Sequence, residues 1–275
     1  MDQAEVTNIR DKAKQIRRGI INALGVGRPG HLGGSMSAAD VMAVLYFHKM
    51  RVNAKNPKDP TRDRFIMSKG HAVLAQYAAL AELGFFSPEE LPKTKTIGAL
   101  LQGHPEITIP GIEANTGSLG QGLSQGFGMA LAAKLDKAAW RVYVMTGDAE
   151  LAEGQIWEAV TAAAHYGLGN FRAIVDANGI SAMGRISERY NVGDPEKIAA
   201  KFAAFGWNTV IIDGHDVAAI ADALDAADKV LDRPSAIVCR TIKGKGVSFA
   251  ENTNAYHNKA MEEDTQAKAL AEINA

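Results

Sequence analysis

The sequence predicts an α/β fold, a mostly parallel sheet with helices on both faces, and two observations carry that prediction. Short apolar runs rich in β-branched and aromatic residues recur at 140–146, 171–175, 208–212 and 234–242, the length of buried strands rather than of core helices. Between them lie stretches with apolar residues at helical spacing, such as Ile156, Trp157, Val160 and Ala164. Strands alternating with helices build a parallel sheet, and ligands collect at its carboxyl edge.

In chain order, Ile9, Ile16, Ile20, Ile21 and Leu24 form the apolar face of a first helix through about residue 24. The string GVGRPG at 25–30 breaks it. It satisfies GxGxxG, but it follows a helix rather than a strand and lacks an acidic residue about twenty positions on, so it is not a dinucleotide site. A second helix is expected through His48, with Ser37 as its cap. After a polar turn at 56–61, residues 62–67 lead into Ser68-Lys69-Gly70-His71 and a helix over 72–83. The stretch 85–101 holds a short capped helix, SPEEL, and a flexible connection to Gln102-Gly103-His104-Pro105-Glu106.

The string TGSLGQGLS at 116–124 opens an apolar helix through about Leu135. Its glycines let backbone amides approach a ligand, and a helix amino terminus favours phosphate. The strand at 140–146 ends at Gly147 and sets Asp148 at a strand end; the next strand delivers Asp176, Asn178 and Gly179 to the same edge. A carboxylate, an amide oxygen and the nearby Ile180 carbonyl are hard ligands suited to Mg²⁺ or Ca²⁺ rather than zinc. An EF-hand does not fit, because the sixth position counted from Asp176 is Ser181 and the twelfth is Ser187. A helix over 198–205, a DGHD turn at 213–216, a helix over 217–231, the loop KGKGVSF at 243–249 and a polar terminal helix over 259–273 complete the chain.

With 275 residues, 47% apolar and 22% charged, the chain suffices for a single α/β domain over 1–275. A formal charge of −1 gives no field for nucleic acid or an anionic membrane. No run has the character of a secretory signal or the length of a membrane span, so the expected location is cytoplasmic. The single cysteine, Cys239, excludes an internal disulfide and reads as a buried small hydrophobe. His48, His165 and His215 read as structural or capping. His31, His71, His104 and His257 lie in loops, the first three directly after glycine.

Asp148, Glu150, Glu153-Gly154 and Asn178-Gly179 resemble the thiamine diphosphate motif of transketolases. PGHLGGSMSAAD, RDRFIMSKGHA, GHPE, TGSLGQGLS and KGKGVSF extend the resemblance over nearly the whole chain, to the amino-terminal half of that family. It implies the thiamine diphosphate-binding fold of the diphosphate-binding type, with thiamine diphosphate and Mg²⁺ or Ca²⁺ as cofactors. It puts Asp148, Asn178 and Ile180 on the metal, and His71, Gly117, Ser118, Leu119, Gly147, Asp148, Ala149, Glu150, Asn178 and His257 on the cofactor. It makes His31, His71, His104 and His257 catalytic residues that meet sugar hydroxyls, and gives Glu153 the role of linking paired cofactor sites.

The implied reaction is transfer of a two-carbon ketol unit between sugar phosphates. Ala149 replaces the second glycine of the motif; at positive φ it would cost about 1–2 kcal/mol, and at negative φ nothing. Leu32 for proline and Asn258 for glycine are smaller departures. The activating glutamate of the family belongs to a pyrimidine-binding domain, as do the groups for the acceptor's distal phosphate. About thirty residues after the KGKG loop leave no room for that domain. It is therefore expected on a partner chain, in an α2β2 assembly, with this chain as the amino-terminal component of a split, two-chain transketolase that is inactive alone. An enzyme of the same kind for an unusual sugar, such as a sulfo-sugar or a branched-sugar phosphate, stays open, as does a non-catalytic scaffold that Ala149 alone favours. The α chain of a thiamine-dependent 2-oxo acid dehydrogenase gives no reason for GHPE and TGSLGQGLS.

Overall fold

The computed structural model describes residues 1–189 and 193–275. Its strands are β1 (Arg64–Met67), β2 (Val142–Gly147), β3 (Phe171–Ala177), β4 (Ile180–Ser181), β5 (Gly184–Arg185), β6 (Asn208–Asp213) and β7 (Ser235–Arg240). Five of them form one sheet in the order β1-β2-β3-β7-β6, every pairing parallel; β4 and β5 make a separate antiparallel hairpin. The sheet centre is buried on both faces because successive side chains alternate. Tyr143, Met145 and Ile174 face one apolar cluster, while Val142, Val144, Ala173 and Val175 face the other.

Helices cover both faces, as expected. On the first lie α1 (Gln3–Leu24), α2 (Leu32–Val44) and α3 (Val73–Glu82), through Ile16, Ile20, Met36 and Tyr77. On the second lie α4 (Gln121–Leu135), α5 (Gly154–His165) and α6 (Pro195–Ala204), through Leu123, Ile156, Val160 and Phe202. The first face is completed by α7 (Val217–Asp228) and α8 (Glu263–Asn274). A capping box between Asp2 and Glu5 starts α1, and Gly25, at φ +67°, ends it by returning its N–H to Ile21.

Three local expectations need correction. Helix α2 begins at Leu32, and Ser37 lies inside it; the Ser37 hydroxyl donates to Gly34 O and to Asp176 rather than capping. The SPEEL helix is a 3₁₀ turn, Pro88–Lys93, with Ser87 accepting the Glu89 N–H. The terminal helix starts at Glu263 because Lys259 and Met261 pair with Gly30 and Val26. Cys239 is fully buried.

His215 is structural, as read from the sequence. Its Nε2 accepts the Ile242 N–H at 2.8 Å, so its Nδ1 carries the proton donated to Asp40 at 2.7 Å. Arg17 donates to the same carboxylate and to the Lys245 carbonyl. This buried cluster fastens the loop after β7 to α1 and α2. Among the described residues no helix is long and apolar enough to cross a membrane.

Helix α4 enters the site from Gly120, at φ +87°, and packs its first turn on the end of β1. A Cβ on Gly122 would stand 2.6–2.7 Å from Ser68, backbone included. Gly122→Ala is therefore expected to lower stability by about 1–3 kcal/mol, the usual cost of overpacking. Urea denaturation of the variant checks this, and an unchanged midpoint would refute the close packing.

Candidate active site

The carboxyl ends of the sheet's central strands open onto a cleft of about 480 Å³ that gathers every expected site residue except Ser118. Ser118 sits between two lining residues and accepts the Gln121 N–H on its carbonyl. His48 and His165 are not among the residues lining the cleft.

At one side of the cleft, the end of β2 meets the turn after β3. Buried Asp148 accepts the Gly179 N–H at 2.6 Å and the Ala149 N–H at 2.8 Å. Asn178 accepts the Ile180 N–H at 3.1 Å and donates to Asp176 at 3.0 Å. The Ile180 carbonyl accepts from Lys243 Nζ at 2.8 Å. Burial, and then the neighbouring Asp176 carboxylate, push the Asp148 carboxyl up to about 7. A buried carboxylate is costly unless it is paired or coordinates a cation, so this mixed oxygen set fits a hard divalent ion. Among the described residues no group of three or more His, Cys, Asp or Glu side chains could hold a metal.

Beneath this edge lies a buried ion pair between Lys69 and Asp176. Asp176 also receives Ser37 Oγ at 2.6 Å, the Thr241 hydroxyl and the Asn178 amide. Burial alone would raise the Asp176 carboxyl, but the Lys69 ammonium and the hydroxyl donors outweigh it and hold the group below its ordinary value. Lys69 reaches the Gly34 carbonyl at 2.9 Å as well.

In the turn that follows Asp148, Glu150 accepts Ser68 Oγ at 2.5 Å, Gly120 N–H at 2.9 Å and Gly147 N–H at 3.0 Å. Burial raises its carboxyl in spite of those donors. One carboxylate thus fixes three loops relative to one another. Gly117 takes φ +145°, and a Cβ there would strike His104 at 2.7 Å, so only glycine brings this backbone so close. Ala149 is absent from the residues at positive φ and occupies a 3₁₀ turn, so it replaces the motif's glycine without strain.

The four loop histidines converge. Ring centroids of His31, His71 and His257 lie 4.9–5.2 Å apart, and His104 stands 6.4 Å from His31. Burial first, then nearby cations, depresses each: His31 to about 4, His257 to about 3, with His71 and His104 also lowered. All four are neutral at pH 7. Lys243 lies 3.0 Å from His257 Nδ1. Burial and Lys69 lower Lys243 to about 8, which leaves it largely charged, so Nδ1 accepts and the ring proton resides on Nε2.

Sequence reasoning did not single out Lys69, Ser37, Asp176, Thr241 or Lys243 as site residues. Two signals were present: Asp176 shares a strand end with Asn178, and Lys243 opens KGKG. The Ser37 and Thr241 contacts had no local signal.

The profile of a family described as "Transketolase, thiamine diphosphate binding domain" matches residues 9–273. One of the subunits of the apulose-4-phosphate transketolase of Phocaeicola vulgatus is 38% identical over 269 residues, which cover 98% of this chain and 95% of that protein. Mouse transketolase is 39% identical over 99% of this chain and 43% of its own length. Among solved structures, a Pichia stipitis transketolase variant superimposes with a TM-score of 0.90 at 33% identity over 96% of this chain and 40% of that one. Campylobacter jejuni transketolase gives 0.88 at 30% identity over 100% and 43%. The chain thus spans about two fifths of the longer relatives.

A histidine near pH 4 in the fold and near 6.5 when exposed takes up its proton on unfolding, so acidification between those values favours the unfolded chain. His31→Asn removes that uptake. The fall in stability from pH 6.5 to 4, followed by denaturant titration, is expected to become shallower; an unchanged slope would mean that His31 titrates as a solvated ring.

Proposed function

This chain belongs to the transketolase family, and on that premise we propose that it supplies the cofactor- and metal-binding half of a two-chain enzyme transferring a two-carbon ketol unit from a ketose phosphate to an aldose phosphate. The observation that carries this reading is the convergence of four neutral histidines on a cleft edged by Asp148, Asn178 and the Ile180 carbonyl. We take 1–275 as a single diphosphate-binding domain. The pyrimidine-binding domain, with its activating glutamate, would come from a partner in an α2β2 assembly. Near-complete mutual coverage with a relative that is named as one part of a transketolase supports that division.

Backbone amides of Gly117, Ser118 and Leu119 would hold the cofactor's diphosphate, because those of the Gly147–Ala149 turn are already engaged by Glu150, Asp176 and Asp148. Asp148, Asn178 and Ile180 would hold Mg²⁺ or Ca²⁺. When bound, thiamine diphosphate supplies an electron sink beside the ketose carbonyl. The chain's own residues do the rest. His257 presents Nε2–H because Lys243 occupies Nδ1. His31, His71 and His104 stay neutral and so offer both a donor and an acceptor nitrogen to sugar hydroxyls, the state needed for proton exchange in both directions. Glu153 is exposed and lines the cleft, which supports a role toward a partner.

A second reading, a sugar phosphate outside the common set, is favoured by the relative named for apulose 4-phosphate. A panel of ketose phosphates assayed with one aldose separates the two. The scaffold reading loses its support, because Ala149 fits without strain.

Native mass spectrometry of the complex from its own source is expected to show a stoichiometric companion, thiamine diphosphate and a divalent metal; the chain alone, without cofactor, would overturn the split-enzyme reading. Asp148→Ala is expected to abolish metal-dependent thiamine diphosphate binding by the assembled protein, read by isothermal calorimetry. Unchanged affinity would remove Asp148 from the metal site.

A further inference from the structure

Lys95, whose charge acts on His31 and His104, and Arg28, whose charge acts on Lys95, have no acidic partner among the described residues. Lys95 Nζ donates to the Pro29 carbonyl at 2.6 Å, one residue before Gly30 and two before His31. Arg28 donates from Nη1 to Thr94 O at 2.7 Å and from Nη2 to Pro92 O at 2.6 Å. The two side chains therefore cross, each gripping the segment that carries the other. Both are half-buried, and among the described residues neither makes an ion pair.

The backbone gives way to seat them. Lys95 holds φ at +65°, a conformation disfavoured for a residue with a Cβ. A Cβ at Gly25 would lie 2.1 Å from Arg28 Nη2, one at Gly30 3.3 Å from Lys95 Nζ, and one at Gly103 3.1 Å from Lys95 Cε. Gly25 thus makes room for Arg28 and Gly103 for Lys95, whereas Gly30 first makes room for Leu24. Burial, and then Arg28, lower Lys95, whose own charge acts in turn on His31 and His104. A strained, partly desolvated cation pair with no counter-charge among the described residues is a liability, and an anion relieves it.

We propose that Arg28 and Lys95 receive the terminal phosphate of a sugar whose reacting end lies among the four histidines, so that this chain itself reads the substrate's charge. The inference rests on the ketol-transfer reading above and deepens it. A phosphate ester near −2 matches two cations, and a guanidinium and an ammonium supply charge-assisted hydrogen bonds to its oxygens. The family resemblance puts phosphate-binding groups on the other half; these two residues, which do not line the cleft itself, would form a second set beyond His31 and His104.

The test uses the reconstituted two-chain complex and compares kcat/KM for a ketose phosphate with that for the same ketose lacking phosphate. Arg28→Gln and Lys95→Gln are each expected to lower that ratio by about tenfold or more, the loss of one hydrogen bond to a charged group. Lys93→Gln, an exposed lysine paired with Glu90, leaves the ratio where it was. A ratio unchanged in both cation variants, or an equal loss for both sugars, overturns the proposal. Lys95→Gly separates folding from recognition: it is expected to melt no lower than the parent while the ratio still falls, and a retained ratio counts against the site. If the complex transfers no ketol unit from any sugar, the ketol-transfer reading fails by itself. Calorimetric binding of the ketose phosphate then decides the site, with weaker binding by Lys95→Gln supporting it and equal binding overturning it.

Discussion

The Lys69–Asp176 ion pair holds the site together. Removing two charges from water costs several kcal/mol per ion, and their attraction offsets this only when the remaining hydrogen-bonding capacity is filled. Here it is filled by Ser37, Thr241 and Asn178 on the carboxylate and by the Gly34 carbonyl on the ammonium. These partners come from α2, from the loops after β1 and β7, and from the turn after β3. A single desolvated pair therefore fixes the segments bearing His31, His71, Asn178 and Lys243. It is better understood as a device of specificity than of net stability, because it is satisfied in one arrangement of those segments.

Above that pair the site is divided by charge. The Asp148 side carries carboxylate, amide and carbonyl oxygens, and burial together with Asp176 makes the bare Asp148 carboxylate costly, which suits a metal ion. The histidine side is kept neutral by burial and by Lys69, Lys95 and Lys243 around it. Neutral imidazoles next to cations are poor bases in water but hold both a donor and an acceptor nitrogen, the property that polyhydroxylated ligands require. Lys95, one of the cations that depress the histidines, also favours an anionic ligand, so one electrostatic arrangement would serve both ends of the proposed sugar phosphate.

Much of this could be read from the chain. Strand ends at Gly147 and after Val175 placed Asp148 and Asn178 on one edge, because a parallel sheet sends its carboxyl ends the same way. Loop histidines after glycine, seen in family strings, converged as the strings implied. What stayed hidden depended on long-range partners: apart from Asn178, Asp176 draws its donors from positions 65 to 139 residues away, and no local pattern encodes such a meeting. Ser37 misled for the same reason. As a hydroxyl near a helix start it resembled a cap, whereas tertiary contact with Asp176 determined its place. Lys95 gave no signal either, since its side chain meets Pro29, 66 residues away, and Gly103 only in the folded chain.

Glu150 has a bearing on protein recombination. Its carboxylate answers to Ser68, Gly120 and Gly147 together, so those loops are not independent parts that can be exchanged one at a time between relatives. A transplanted segment must bring a donor at the place this acid already occupies, or the other two loops lose their common reference. Chimaeras joined outside 68–150 carry the whole unit across; junctions inside it divide one.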